Sequence, residues 1–73
     1  MGRKLRLVSG RQAVQKSERA GWTLVRQPGS HMMLTHPEYQ WTLSVPNHRE
    51  LGPGLLSKLV KQAGLSAEQF NDL

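Results

Sequence analysis

The chain predicts an α+β fold: a helix, a three-stranded antiparallel sheet, a second helix and a short C-terminal helix. Three observations carry this. Strand-like runs "WTLVRQ", "SHMMLTH" and "QWTLSV" are separated only by short turns, and connections that short make neighbouring strands antiparallel. Runs with helical spacing and cap residues stand on both sides of them. Apolar and polar residues alternate along the strands, which leaves one sheet face for helices and the other for solvent.

Ser9 is placed to cap a helix through "GRQAVQKSERA", and Gly21 stands where a left-handed residue ends one. Ala13, Val14 and Ala20 give this helix a thin apolar face, and Ser17 occupies a place where a large apolar residue is expected. The helix therefore depends on the rest of the fold. In the second strand Met32 and Leu34 share one side, and His31, Met33 and Thr35 the other; in the third, Trp41, Leu43 and Val45 share a side. With the apolar sets turned towards the helices, His31 faces the open side of the sheet. Pro46 ends the third strand, "NHRELG" forms a loop, and Pro53 suits the first position of the next helix. In "PGLLSKLVKQAG", Leu55, Leu56, Leu59, Val60 and Ala63 form the buried stripe, Gly64 the stop, and Lys58, Lys61 and Gln62 the outward face. Ser66 and Gln69 are spaced as a capping box for the last helix. Residues 1–8 read as a basic N-terminal segment with the look of a tail, and residues 9–73 as a single domain. The order is the layout of double-stranded RNA-binding domains, which recognise A-form geometry through phosphate and ribose contacts.

A chain of 73 residues permits one small domain, and a domain this short buries only about 60% of its unfolded surface. A deep cofactor pocket is hard to build at that size, so chemistry belongs on an open face. Cysteine is absent, which removes disulfide frameworks and thiolate metal sites. No run approaches the ~18–20 apolar residues of a membrane span, and "MGRKLRLVSG" lacks the apolar core of a signal peptide, so a cytoplasmic protein is expected. Ten Lys and Arg against five Asp and Glu give a net charge of +5. Seven of the ten basic residues (Arg3, Lys4, Arg6, Arg11, Lys16, Arg19 and Arg26) fall in the first 26 positions, where only Glu18 opposes them. That asymmetry favours a polyanion, because each phosphate contact releases condensed counterions. Trp22, Tyr39, Trp41 and Phe70 are too few for a dedicated base-stacking platform.

The residues Gly29-Ser30-His31-Met32 spell a familiar remnant of tag removal, but such a remnant sits at an amino terminus and this one lies between two strands. His31 is therefore read as native. It is the first candidate for proton transfer, with His36 and His48 as the others. The spacing of His31 and His36 puts them on opposite faces of one strand, so no shared metal ion is expected. Ser30 and His31 likewise point apart, and no carboxylate stands where a hydrolase triad needs one. Gly29 belongs to a turn first and to a phosphate loop only weakly, and His36 beside Pro37 is expected in a solvated turn. RNA supplies its own nucleophile in the 2′-hydroxyl, so one histidine among cations suffices for slow cleavage without a cofactor.

The segments "SGRQAVQKSERAGWTLVRQPGSHMMLTHPE" and "TLSVPNHRELGPGLLSKLVKQAGLSAEQF" resemble the HicA toxins of bacterial and archaeal HicAB toxin–antitoxin systems. The shared pattern is a helix ending in A-G-[FW], a strand, G-S-H, H-P, V-P-x-H, E-L-x-P-G-x-L and K-Q-A-G-[LI]-S. The resemblance implies a double-stranded-RNA-binding-like fold, cleavage of mRNA, one essential histidine matching His31, and a HicB antitoxin that binds the toxin and covers that histidine. Many members carry a second histidine directly after the first, where Met32 stands here, and Ser17 replaces a usual leucine. These considerations make His31 a general acid or base, and Arg26, Ser30, His48, Lys58 and Lys61 RNA contacts. They also make the free toxin a monomer that forms a hetero-oligomer with its antitoxin. A non-catalytic module for structured RNA is the alternative, with a DNA-binding helix module behind it, since no helix aims a row of Arg, Asn and Gln outward.

Overall fold

In the computed structural model, which describes residues 4–73, the elements run α1 (Gly10–Arg19), β1 (Thr23–Arg26), β2 (His31–His36), β3 (Tyr39–Pro46), α2 (Pro53–Gln62) and α3 (Ala67–Asp72). The sheet is antiparallel in the order β1-β2-β3, so the expected α+β architecture is present with β2 at its centre. Ser9 and Gln12 form a capping box at the start of α1, and Ser66 and Gln69 form another at α3. Pro53 opens α2, where the missing N–H costs no helical bond. Pro46 closes β3 on an edge of the sheet, where a strand tolerates proline.

One sheet face makes the core. Met32, Leu34, Leu43 and Val45 are buried there with Ala13 and Val14 of α1, Leu56, Leu59 and Val60 of α2, and Trp22, Leu51, Ala63 and Phe70. Ser17 is fully buried among them and donates its hydroxyl to the Ala13 carbonyl at 2.8 Å, so the small polar side chain is satisfied within its own helix.

Three side chains differ from their expected places. Leu55 is not in the buried stripe but 43% exposed, because it lies about 100° round the helix from Leu56 while Leu59, Val60 and Ala63 cluster near that residue. Trp41 shares a side with Leu43 and Val45 but is 49% exposed; it reaches the end of α2, where its Nε1 donates to the Gln62 carbonyl at 2.8 Å. Trp22 does the same for Ala63 at 3.2 Å, so two indoles satisfy carbonyls that a helix end leaves open. His36 is not in a solvated turn. It ends β2 on the core side, half-buried, 5.3 Å from the Trp22 ring and 4.9 Å from the Tyr39 ring. Its Nδ1 accepts the Glu38 backbone N–H at 3.0 Å, which leaves the proton of the neutral ring on Nε2, directed at the Ala20 carbonyl 3.3 Å away.

The N-terminal segment behaves differently from the expected tail over residues 4–8; Met1–Arg3 lie outside the described residues. The Arg6 N–H donates to Asn71 Oδ1 at 3.0 Å, Asn71 Nδ2 donates to the Lys4 carbonyl at 2.8 Å, and the Leu51 N–H donates to the Val8 carbonyl at 2.9 Å. Leu5 and Val8 pack against the core. Two apolar residues and one side-chain amide thus hold a segment that charge alone marks as solvated.

Candidate active site on the open sheet face

The β1–β2 connection turns tightly at Pro28–His31, where the His31 N–H donates to the Pro28 carbonyl at 3.2 Å. Gly29 has φ 60° and Ser30 does not have a positive φ, the sign pattern of a II′ hairpin turn whose first central position wants glycine. His31 is the first residue of β2, exposed on the face opposite Met32 and Leu34. Its strand partner is Pro46.

A β-bulge decides what else shares that face. Leu24 pairs with Leu34, but Arg26 pairs with Met33, so Val25 is an extra residue in β1. Under strict alternation Arg26 would follow Leu24 onto the core side. The bulge turns it to the side of Met33, and therefore of His31. Thr23, Thr35 and Ser44 lie on the same face, and none of the strand residues is acidic. The face thus offers hydroxyls, one guanidinium and one imidazole to an anion.

The chain that leaves β3 folds back onto the His31 turn. The Asn47 N–H donates to the Ser30 carbonyl at 2.7 Å, and the His48 N–H to the Pro46 carbonyl at 2.9 Å, which bends the backbone sharply at Asn47. The His48 carbonyl in turn accepts the N–H of Gly10, the first residue of α1, at 2.9 Å. Ser30, His31, Arg26 and His48 are all exposed. The structure brings His31, Ser30 and the His48 loop together at one end of the sheet, with Arg26 on the same face. Lys58 and Lys61 are exposed on α2, which covers the opposite face, so they stand apart from His31. His36 is on the core side, away from His31, and among the described residues no three His, Cys, Asp or Glu side chains gather into a metal-binding group.

Sequence reading missed the bulge and the docking of the loop. The adjacent apolar pair Leu24-Val25 before Arg26 was the available sign of broken alternation. Gly10 gave a weaker sign. It is buried against the end of β3, and a Cβ there would run into the Pro46 carbonyl, with the Asn47 Cα at 3.1 Å. Both obstacles are backbone. Gly10→Ala should therefore push α1 away from the His48 loop and cost about 1–3 kcal/mol, as overpacked sites do. A urea midpoint equal to the parent's would show that the contact yields freely.

A helix, three antiparallel strands and a helix, with an exposed histidine and arginine on the uncovered sheet face of a basic chain, define an α+β domain with the element order of double-stranded RNA-binding domains. Residues 10–65 match the family model described as HicA toxin of bacterial toxin-antitoxin, and the chain belongs to that family. The match spans α1 to the end of α2, includes every candidate residue named above, and leaves the N-terminal segment and α3 outside it. No curated protein matches the chain. The family makes this a toxin of a toxin–antitoxin system, with an antitoxin as its partner. Among the described residues no helix is long and apolar enough to cross a membrane.

Proposed function

We propose that the protein is a ribonuclease toxin that cleaves mRNA by metal-independent acid/base chemistry at His31. The observation that carries this is an exposed histidine on an arginine-bearing face whose strands carry no carboxylate, inside the segment that matches the toxin family. The 2′-hydroxyl attacks the adjacent phosphorus, His31 serves as general acid or base, and the Arg26 guanidinium offsets charge gathering on the phosphorane oxygens. Ser30 and His48 flank the same phosphate. Lys58 and Lys61, on the helical side, hold more distant backbone of the same RNA. The partner is a HicB-like antitoxin that covers His31, and the free toxin is a monomer acting in the cytoplasm.

Purified parent protein should cut RNA equally well with and without EDTA, and His31→Ala should cut about 10²–10⁴ times more slowly. A variant as fast as the parent would remove His31 from the mechanism, and loss of activity in EDTA would return the reaction to a metal ion. The domain layout and net charge also favour a second reading, a module that holds structured RNA without cutting it. That reading expects duplex RNA to be retained on a gel, with steep salt dependence and no products after long incubation.

A further inference from the structure

Cleavage by a 2′-hydroxyl involves two proton transfers on opposite sides of the phosphorus, and His31 accounts for one of them. Of the three histidines, His36 has both ring nitrogens engaged and lies on the core face. The His31 and His48 side chains are both exposed, and neither has a hydrogen-bond partner among the described residues. They are also joined by the backbone. Pro46 is the strand partner of His31, the Asn47 N–H is bound to the Ser30 carbonyl at 2.7 Å, and His48 follows directly, its N–H returned to Pro46. The bond from Gly10 to the His48 carbonyl then fixes the loop from the other side. Every one of these anchors is a backbone group, so the loop's position does not depend on the imidazole it carries.

We propose that His48 is a second catalytic residue, paired with His31 across the scissile phosphate. This rests on the ribonuclease reading and goes beyond the single histidine that the family resemblance implies. One imidazole takes the proton of the 2′-hydroxyl as the 2′-oxygen bonds to phosphorus. The other, protonated, delivers its proton to the 5′-oxygen as the bond from phosphorus to that oxygen breaks. The products are a 2′,3′-cyclic phosphate and a 5′-hydroxyl end. The two rings finish with their protonation states exchanged, and solvent resets them. No oxidant, reductant or further reactant enters. Arg26 acts on the non-bridging oxygens between them.

The test uses an oligonucleotide containing a site that the parent cuts in a longer RNA, made once with the natural linkage and once with sulfur in place of the bridging 5′-oxygen. A thiolate departs without being protonated, so the sulfur linkage dispenses with the general acid and keeps the demand for a base. His31→Ala and His48→Ala should each cut the natural linkage about 10²–10⁴ times more slowly than the parent. On the sulfur linkage one of the two, and only one, should return to near the parent's rate, which also assigns the acid. Thermal unfolding should place His48→Ala beside the parent, and His48→Gln provides a second variant if it does not. His48 variants that cut the natural linkage at the parent's rate would overturn the pairing while leaving the ribonuclease reading intact. So would sulfur rescue of both positions, or of neither. A parent that cuts neither linkage removes the ribonuclease reading, and the pairing with it.

Discussion

Phe70→Ala is expected to lower the unfolding free energy by about 3–5 kcal/mol, the usual cost of emptying a fully buried aromatic site. Domains hold roughly 0.05–0.15 kcal/mol per residue, so in a chain this short the change removes a large share of the total. Phe70 heads the fully buried side chains by volume, although it belongs to a six-residue helix that lies outside the matched family segment. Its neighbours explain why so short a helix is kept. Lys16 of α1 places Nζ 5.3 Å from the ring centroid and donates to the carbonyls of Phe70 and Leu73, each at 3.1 Å, and more loosely to that of Asn71. A lysine at a helix C-terminus satisfies open carbonyls and meets the favourable end of the helix dipole. Asn71, next along, clamps Lys4 and Arg6. Losing the ring should therefore loosen α3 and the N-terminal segment together. Urea unfolding followed by far-ultraviolet circular dichroism checks this. Leu55→Ala is the control, since its half-exposed side chain should cost less than about 0.5 kcal/mol. An unchanged midpoint for Phe70→Ala would mean that α3 unfolds separately from the core.

Elements with local signals were legible in the sequence. Ser9 as a cap, the Ser66–Gln69 box, Pro53 at a helix start, and Gly21 and Gly64 after the helices each act within a few residues, and all stand where expected. Period-two alternation was equally legible in β2, the central strand, where Met32 and Leu34 are buried and His31 exposed. It failed where tertiary contacts set the outcome. Trp41 alternates correctly, yet the end of α2 satisfies its indole without covering it. His36 follows the core side of β2 into an aromatic cluster with Trp22 and Tyr39, and Trp22 lies far enough back along the chain that neighbouring Pro37 says nothing of it. Around the candidate site, the orientation of His31 followed from alternation, whereas the placement of Arg26 beside it depended on a bulge that breaks the same rule. The approach of His48 depended on a loop returning across the sheet end, which no window along the chain reports.

On binding of the antitoxin, ribonuclease activity should disappear and His31 should lose its reactivity towards diethyl pyrocarbonate. The free face explains why direct cover is the economical form of inhibition. It carries Arg26 and half-buried Met33 near the histidine, and contains no strand carboxylate to repel an acidic partner. Acidic antitoxin residues against the basic chain should chiefly accelerate association and fix orientation, while apolar burial around Met33 sets the lifetime. The three histidines supply their own calibration. His36, with both ring nitrogens engaged, should react slowly in the free and bound protein alike, whereas His31 and His48 should react quickly when free. Protection of His31 alone would confine the cover to the sheet face, and protection of both would extend it over the loop that joins them. If His31 reacts equally fast in both states while cleavage is abolished, inhibition must act by blocking RNA elsewhere or by changing the toxin's conformation, and direct masking has to be given up.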